Sequence, residues 1–320
     1  MGRNSGECRL DFRLNFRRNF LMPVNKTENK NLYESLLELI RVTSTVIPDD
    51  VQKEVMKALR REKKNTTAKY AMDIIDKNIE LAKTKSQPIC QDTGTILIYV
   101  NHPANFDQLA FEKVFKKAVV DATKKGYLRQ NSVDILTGKN ESLNIGLGHP
   151  SFHFHQHKKK SVEVKLMLKG GGCENVGAQY SLPNTALEAG RDLDGVRKVI
   201  LDAVVKAQGK GCGPGVLGVC IGGDRGSGYV ESKNQLLRSL DDQNEEPKLR
   251  KLEKDIVATA NRLGIGPMGF GGKTTLLGCK VSCLNRLPAS YFVSISYMCW
   301  AFRRQGITLK SNNTISKWLY

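Results

Sequence analysis

Residues 161–172 read SVEVKLMLKGGG, and the organisation of the chain can be worked out from this stretch. Val162, Val164, Leu166 and Leu168 alternate with Glu163, Lys165 and Lys169. Successive side chains of a strand point to opposite faces, so this alternation predicts a half-buried β-strand. The strand runs directly into Gly170-Gly171-Gly172, where the missing side chains let backbone amides approach an anion. A strand that delivers a glycine loop marks a site on a sheet scaffold.

Working outward, the N-terminal side reads as helical. Leu36, Leu37 and Ile40 open one helical pattern, and Pro48-Asp49-Asp50 starts the next. Ala68 to Lys83 carries Ile75, Ile79 and Ala82 on one stripe until Gln87-Pro88 breaks it. Cys90-Gln91-Asp92-Thr93-Gly94 then reads as a turn, Thr95 to Val100 as a buried strand, and Phe111, Val114, Phe115, Ala118 and Ala122 as the core face of a helix. On the C-terminal side a helix from Leu193 to Ala207 precedes Gly211-Cys212-Gly213-Pro214-Gly215. A long charged helical stretch spans Ser232 to Arg262, and a β-like run from Tyr291 to Met298 ends at Cys299. The fold class expected is α/β (mixed α+β), with a helical N-terminal region followed by a mixed sheet whose glycine-rich loops build the site. The expected organisation is a disordered or transit-like extension over residues 1–30, one domain over 31–305 and a C-terminal tail over 306–320.

The chain has 320 residues, 40% of them hydrophobic, which is enough to bury a substantial core. No run approaches the roughly 18 consecutive apolar residues of a membrane span, so a soluble chain is expected. The formal charge of +18 raises the question of nucleic acid. The basic residues are scattered along helix-like segments, however, without the interleaved aromatics of a base-stacking surface. A positive field that attracts small anions or an acidic partner protein fits better. Eight cysteines without a signal-peptide pattern point to a reducing compartment rather than a disulfide framework. A cytoplasmic location is expected, with organellar targeting by the Arg-rich first 22 residues left open.

Cys8, Cys220, Cys279 and Cys283 read as ordinary core residues. Cys90, Cys212 and Cys299 each lie at the edge of a loop, but their spacing is neither that of a ferredoxin nor that of a zinc ribbon. Spacing alone does not reveal a metal site. His153, His155 and His157 would share one strand face, where flanking lysines disfavour a cation. Gly266 to Thr274 misses the phosphate-binding pattern GxxxxGK[ST] because Pro267 stands where glycine is needed.

The strings PICQDTGT (Pro88 to Thr95), KGGGCEN (Lys169 to Asn175), GCGPGVLGVCIGG (Gly211 to Gly223), NRLGIGPMGFGGKTT (Asn261 to Thr275) and LPASYFVSISYMCWAFRR (Leu287 to Arg304) occur in order. Together they resemble the N-terminal domain or α subunit of the class I fumarate hydratase and L(+)-tartrate dehydratase family, over roughly residues 33 to 304. The resemblance implies a hydro-lyase that carries a [4Fe–4S] cluster on Cys90, Cys212 and Cys299. Three protein ligands would leave one iron open to hold a substrate carboxylate and hydroxyl. It further implies catalytic and substrate-binding roles for Gln91 and Asp92, a carboxylate clamp at Arg129 and a substrate contact at Gly171. The bland readings of the same residues are an Asx-turn at Asp92, an exposed helix-end arginine and a plain glycine turn.

The proton-abstracting base would come from a β subunit, making the protein a hetero-oligomer acting on a small dicarboxylate, with fumarate hydration as the reaction and tartrate dehydration as the alternative. A place in the tricarboxylic acid cycle follows from the first of these. A non-catalytic basic binding protein is the more distant alternative. Two features bear on the assignment. Leu287 stands where many family members carry a histidine, and Thr137 to Pro150 resembles a segment of tartrate dehydratase α subunits.

Overall fold

The computed structural model describes residues 26–140 and 142–320. The elements run α1 (Lys26–Thr45), α2 (Asp49–Arg61), α3 (Thr67–Lys85), β1 (Thr95–His102), α4 (Gln108–Lys124), β2 (Ser151–Gln156), β3 (Val162–Lys169), α5 (Gly171–Asn175) and β4 (Ala178–Ser181). They continue with α6 (Leu193–Ala207), β5 (Gly215–Gly222), α7 (Arg225–Gln235), α8 (Pro247–Arg262), β6 (Leu276–Leu284), β7 (Phe292–Met298), β8 (Arg303–Leu309) and β9 (Ile315–Trp318). A helical N-terminal region followed by mixed α/β structure is the class expected from the sequence. The strands form two sheets rather than one, in the orders β2-β1-β3-β8-β9 and β4-β7-β5-β6.

Local chemistry sets the helix starts. Thr66, Asp107 and Asp192 each accept a first-turn N–H, from Lys69 at 3.2 Å, Ala110 at 2.9 Å and Gly195 at 2.7 Å. Each such cap contributes about 1 kcal/mol. On the first sheet Ile96, Ile98, Val100, Val164, Leu166 and Leu168 pack against Leu36, Leu39, Phe111 and Phe115 of α1 and α4. The opposite face of β1, Leu97 and Tyr99, joins a central cluster with α2, α3, Met298 and Phe302. Because β1 is covered on both sides it reads as a continuous apolar run rather than an alternation. On the second sheet Leu217, Val219 and Val281 pack against α6 and α8. Each fully buried Leu, Ile or Phe in these clusters contributes about 1.5–3 kcal/mol.

Two chain links join the sheets. Residues 170–177 leave β3 of the first sheet and lead to β4 of the second, and residues 299–302 leave β7 of the second and lead to β8 of the first. Cys173 and Cys299 lie on these two links. Cys90 and Cys212 lie just ahead of β1 and β5. The sheet junction therefore gathers four cysteines from distant parts of the chain.

Several expectations change at this level. The extension expected over residues 1–30 falls outside the described residues up to 25, and α1 already begins at Lys26. Residues 306–320 are not a loose tail: β8 pairs with β3 and β9, and the Tyr320 ring stacks on the Arg304 guanidinium at 4.2 Å. The stretch Ser232–Arg262 is two helices, because Leu236 and Leu237 turn into the core and α8 restarts at Pro247. Cys283 is exposed instead of buried, since it sits near the open end of β6, while Cys220 and Cys279 are buried as expected. Cys8 lies outside the described residues. No helix among the described residues is long and apolar enough to cross a membrane.

Candidate metal centre

Cys90 is placed by the end of α3. The Ile89 N–H donates to the Ser44 carbonyl at 3.1 Å, and the Asn78 side chain donates to the Ile89 carbonyl at 2.9 Å, so the residue before the thiol is held on both sides. The Cys90 sulfur accepts the Asp92 N–H at 3.4 Å. The turn then closes on the Asp92 carboxylate, which accepts N–H bonds from Gly94 at 2.8 Å and from Gly171 at 2.7 Å. The Asx-turn expected as the bland reading is present, and the same carboxylate also locks the glycine loop to the cysteine turn. Gly94 has φ +76°, and a Cβ there would collide with the Lys169 carbonyl, so only glycine fits.

Cys212 sits at φ +52°, a left-handed conformation that costs a non-glycine residue about 1–3 kcal/mol and clusters at functional sites. Its carbonyl accepts the Trp300 N–H at 3.4 Å, tying the second cysteine to the residue after the third. A Cβ on Gly211 or Gly215 would run into the Tyr297 ring, which explains why glycines flank this thiol. Cys299 is buried, and its N–H donates to the Cys173 sulfur at 3.3 Å.

The electrostatics show that these thiols share one environment. Burial raises the Cys212 thiol above its ordinary value, with Cys173, Cys90 and Asp92 adding to the effect. Cys173 is lowered to about 7 by its interaction with Cys299 and by Lys169 and Arg303, against the opposing effect of burial. Cys299 is raised by Cys173 and by burial.

Two cations lie under the thiols. Lys169 is fully buried and Arg303 is 1% exposed. Arg303 donates to the Asp92 carbonyl at 2.6 Å, yet its Nε has no hydrogen-bond partner, and neither does Lys169 Nζ. Lys169 Nζ is 3.2 Å from a Glu174 oxygen, an ion pair outside hydrogen-bond geometry, and Glu174 is shared with Lys233 at 2.7 Å. Burial pushes the Lys169 ammonium below its ordinary value, with Glu174 and Cys173 opposing. Lys169 therefore has its counter-ion in Glu174, and of the two cations it is Arg303 Nε that is left without an acceptor. Among the described residues no three His, Cys, Asp or Glu side chains could hold a single metal ion. A four-iron cube with thiolate ligands is anionic, and buried cations beside loop thiols suit a group of that charge.

The remaining predicted residues are less engaged. Gln91 and Arg129 are exposed, and only the Arg129 backbone is anchored: its N–H donates to Thr93 Oγ1 at 2.8 Å and its carbonyl accepts Asn144 at 2.8 Å. The Gly171 amide is already occupied by Asp92. The glycine loop ahead of Thr275 holds no free anion cradle, since the Lys273 and Thr274 amides donate to Glu62 at 3.0 and 2.9 Å. His153 stacks on Tyr99, with ring centroids 4.6 Å apart. Leu287 lies in the exposed loop ahead of β7, whereas Cys299 follows the end of that strand, roughly 20 Å away by strand length. A histidine at that position could not reach the Cys299 thiol. A cavity of about 660 Å³ lined by Cys283, Arg286 and Tyr291 lies at that same far end and includes none of the candidate residues. Sequence reasoning did not single out Cys173, Lys169 or Arg303 for a role. Lys169 and Cys173 sit inside the KGGGCEN string and Arg303 inside the string that ends at Arg304, and these matches offered the signal.

The family model for fumarate hydratase (fumerase) matches residues 33–308. The chain belongs to the fumarate hydratase family. A provisionally named class I fumarate hydratase of Geobacillus stearothermophilus is 51% identical over 296 residues, which cover 91% of this chain and 57% of that protein. The chain thus spans little more than half the length of that relative. An L(+)-tartrate dehydratase subunit alpha of Escherichia coli K12 is 29% identical over 294 residues, covering 91% of this chain and 95% of the relative. A protein of Methanocaldococcus jannaschii, provisionally named as the same subunit, is 31% identical over 84% of this chain and 94% of its own length.

Proposed function

We propose that this chain is the cluster-carrying half of an iron–sulfur hydro-lyase that interconverts fumarate and malate, with Cys90, Cys212 and Cys299 as the thiolates of a [4Fe–4S] cluster. The observation that carries this reading is the convergence of three loop thiols beside the buried cations Lys169 and Arg303 in a chain of the fumarate hydratase family. Bound through three thiolates, the cluster would supply one open iron as a Lewis acid for the substrate's carboxylate and hydroxyl.

The chain's own groups have separate tasks. Lys169 and Arg303 offset the negative charge of the thiolates in a low-dielectric setting. Asp92 joins the cysteine turn to the glycine loop and holds both in register. The exposed Arg129 guanidinium, on a backbone pinned to Thr93, offers a bidentate clamp for a substrate carboxylate. The Gln91 amide offers both a donor and an acceptor beside the first thiol. The base that removes the carbon-bound proton is assigned to a complementary half, of the kind a β subunit would provide, in a hetero-oligomer. Thiolate ligation suits a reducing compartment such as the cytoplasm.

A second reading, tartrate dehydration, is favoured by one observation. The chain matches relatives named tartrate dehydratase subunit alpha over 94% and 95% of their length. The test is anaerobic reconstitution with iron and sulfide, followed by assays of fumarate hydration and tartrate dehydration before and after adding the complementary half. Failure to retain iron would remove the cluster. Full turnover by this chain alone would remove the two-half arrangement, and the preferred substrate decides between the two readings.

A further inference from the structure

We propose that Cys173 and Cys299 form a resolving pair, closing an intramolecular disulfide when the cluster site is empty and a peroxide is present. The proposal rests on Cys299 being a cluster ligand. Cys173 is not needed for a three-thiolate set, yet its sulfur is in direct contact with the backbone of a ligand residue. The Cys299 N–H donates to the Cys173 sulfur at 3.3 Å, across 126 residues of sequence. Both residues are buried, at 3% and 7% exposure, on the two chain links that join the sheets.

The other thiols are placed differently. Cys90 directs its sulfur at the Asp92 amide, and Cys212 is exposed. Cys220 and Cys279 lie within β5 and β6, where their register partners are Ser282 and Leu217. Cys283 is exposed at the far end of β6. Among the described cysteines, the pair across the sheet junction is the one in which a sulfur of one touches the backbone of the other.

The chemistry balances with hydrogen peroxide as oxidant. One sulfur of the pair attacks the peroxide; an S–O bond forms, the O–O bond breaks and water leaves, giving a sulfenic acid. The other sulfur then attacks the oxidised one; an S–S bond forms and the hydroxyl leaves as a second water. Two thiols lose two electrons in all and one peroxide gains them. A thiol reductant reverses the bond. Without Cys173 a sulfenic acid formed on Cys299 has no such partner and proceeds to sulfinic or sulfonic acid, which thiols do not reverse. Cys173 therefore keeps the third ligand recoverable.

The experiment uses the full chain, stripped of iron anaerobically with a chelator and exposed to one pulse of hydrogen peroxide. Remaining thiols are then blocked, and the chain is digested for mass spectrometry. The expected result is a linked peptide pair containing Cys173 and Cys299, and full reloading of iron and sulfide after thiol reduction. Cys173→Ser, with Cys173→Ala as a second variant should the first misfold, is expected to reload normally before peroxide. After peroxide it should lose most of its reloadable iron and carry sulfinic or sulfonic acid on Cys299. A link between Cys90 and Cys212 instead, no link at all, or equal recovery of wild type and variant overturns the proposal. The linked peptide is read without any cluster, so a chain that never retained iron would sink the cluster reading and leave the disulfide separately decided.

Discussion

The Gly171 amide donates to the Asp92 carboxylate at 2.7 Å, joining the turn that carries Cys90 to the loop that carries Cys173 across 79 residues. The second Asp92 oxygen accepts the Gly94 N–H, and the Asp92 carbonyl accepts Arg303. One residue therefore connects three of the segments that meet at the sheet junction. Replacing it disturbs the whole centre rather than one contact.

Asp92→Ala would leave the Gly94 and Gly171 amides without their acceptor. A lost partner of this kind costs about 1–3 kcal/mol. A stability loss in that range is expected in denaturant melts of the apo chain, together with weaker iron retention. Unchanged stability would mean that water replaces the carboxylate at no cost.

The cysteine series is the direct test of the centre. Cys90→Ser, Cys212→Ser and Cys299→Ser should each abolish iron and sulfide retention after anaerobic reconstitution. Cys220→Ser and Cys283→Ser, which lie within or at the far end of the second sheet, should retain wild-type amounts. Equal iron content in all five variants would dismiss the assignment.

Lys169 separates stability from function. Its ammonium is fully buried without a hydrogen bond, and Glu174 keeps Lys233 when Lys169 is removed. Removing Lys169 takes away a buried charge without leaving the Glu174 carboxylate uncompensated, which is the costly case. Lys169→Met should therefore leave the apo melting temperature unchanged or higher, yet shift the cluster's reduction potential and lower its retention. A melt that drops sharply while the potential stays fixed would make Lys169 a structural residue only.

Asp50 and Arg304 form an ion pair that is almost fully buried, and Asp50 also accepts the Leu240 N–H at 2.7 Å. Burial acts to raise the Asp50 carboxyl, but Arg304 and the Leu240 amide outweigh it and hold it below the ordinary carboxylate value. A group depressed in the folded state stabilises above its unfolded value, about 3.9, and that stability is lost as pH falls through the folded value. Asp50→Asn should cost about 3–5 kcal/mol near neutrality, because it leaves Arg304 uncompensated. It should also remove part of the acid-side slope below about pH 4, measured by denaturant melts across pH.

The segment between Arg129 and His149 carries Ile135, Leu136 and Leu147 at 93%, 92% and 107% exposure. It is tied to the Thr93 turn through Asn131 and Asn144. Clustered exposed apolar residues beside a site are a docking or aggregation surface. The isolated chain should self-associate in sedimentation experiments, and Ile135→Lys with Leu136→Lys should reduce this without changing iron content. No change in association would place the sticky surface elsewhere.

Much was written locally. The alternation over Val162–Leu168 specified a strand, the apolar stripes specified α3, α4 and α6, and the ordered glycine and cysteine strings specified the family. These are near-neighbour patterns, set by side-chain periodicity and by the turns only glycine allows. The three thiols could be named as one set only through those ordered strings, since their spacing follows no ligand rule. What tertiary structure alone decided is non-local. The chain leaves the first sheet after β3 and returns at β8, so residues 306–309, expected to open a tail, belong to an inner strand. The same crossing brings Cys173 against Cys299 and buries Lys169 and Arg303 beneath them. No sequence period encodes these contacts, because they depend on how two sheets pack across a shared junction, a choice made by the summed burial of the whole core.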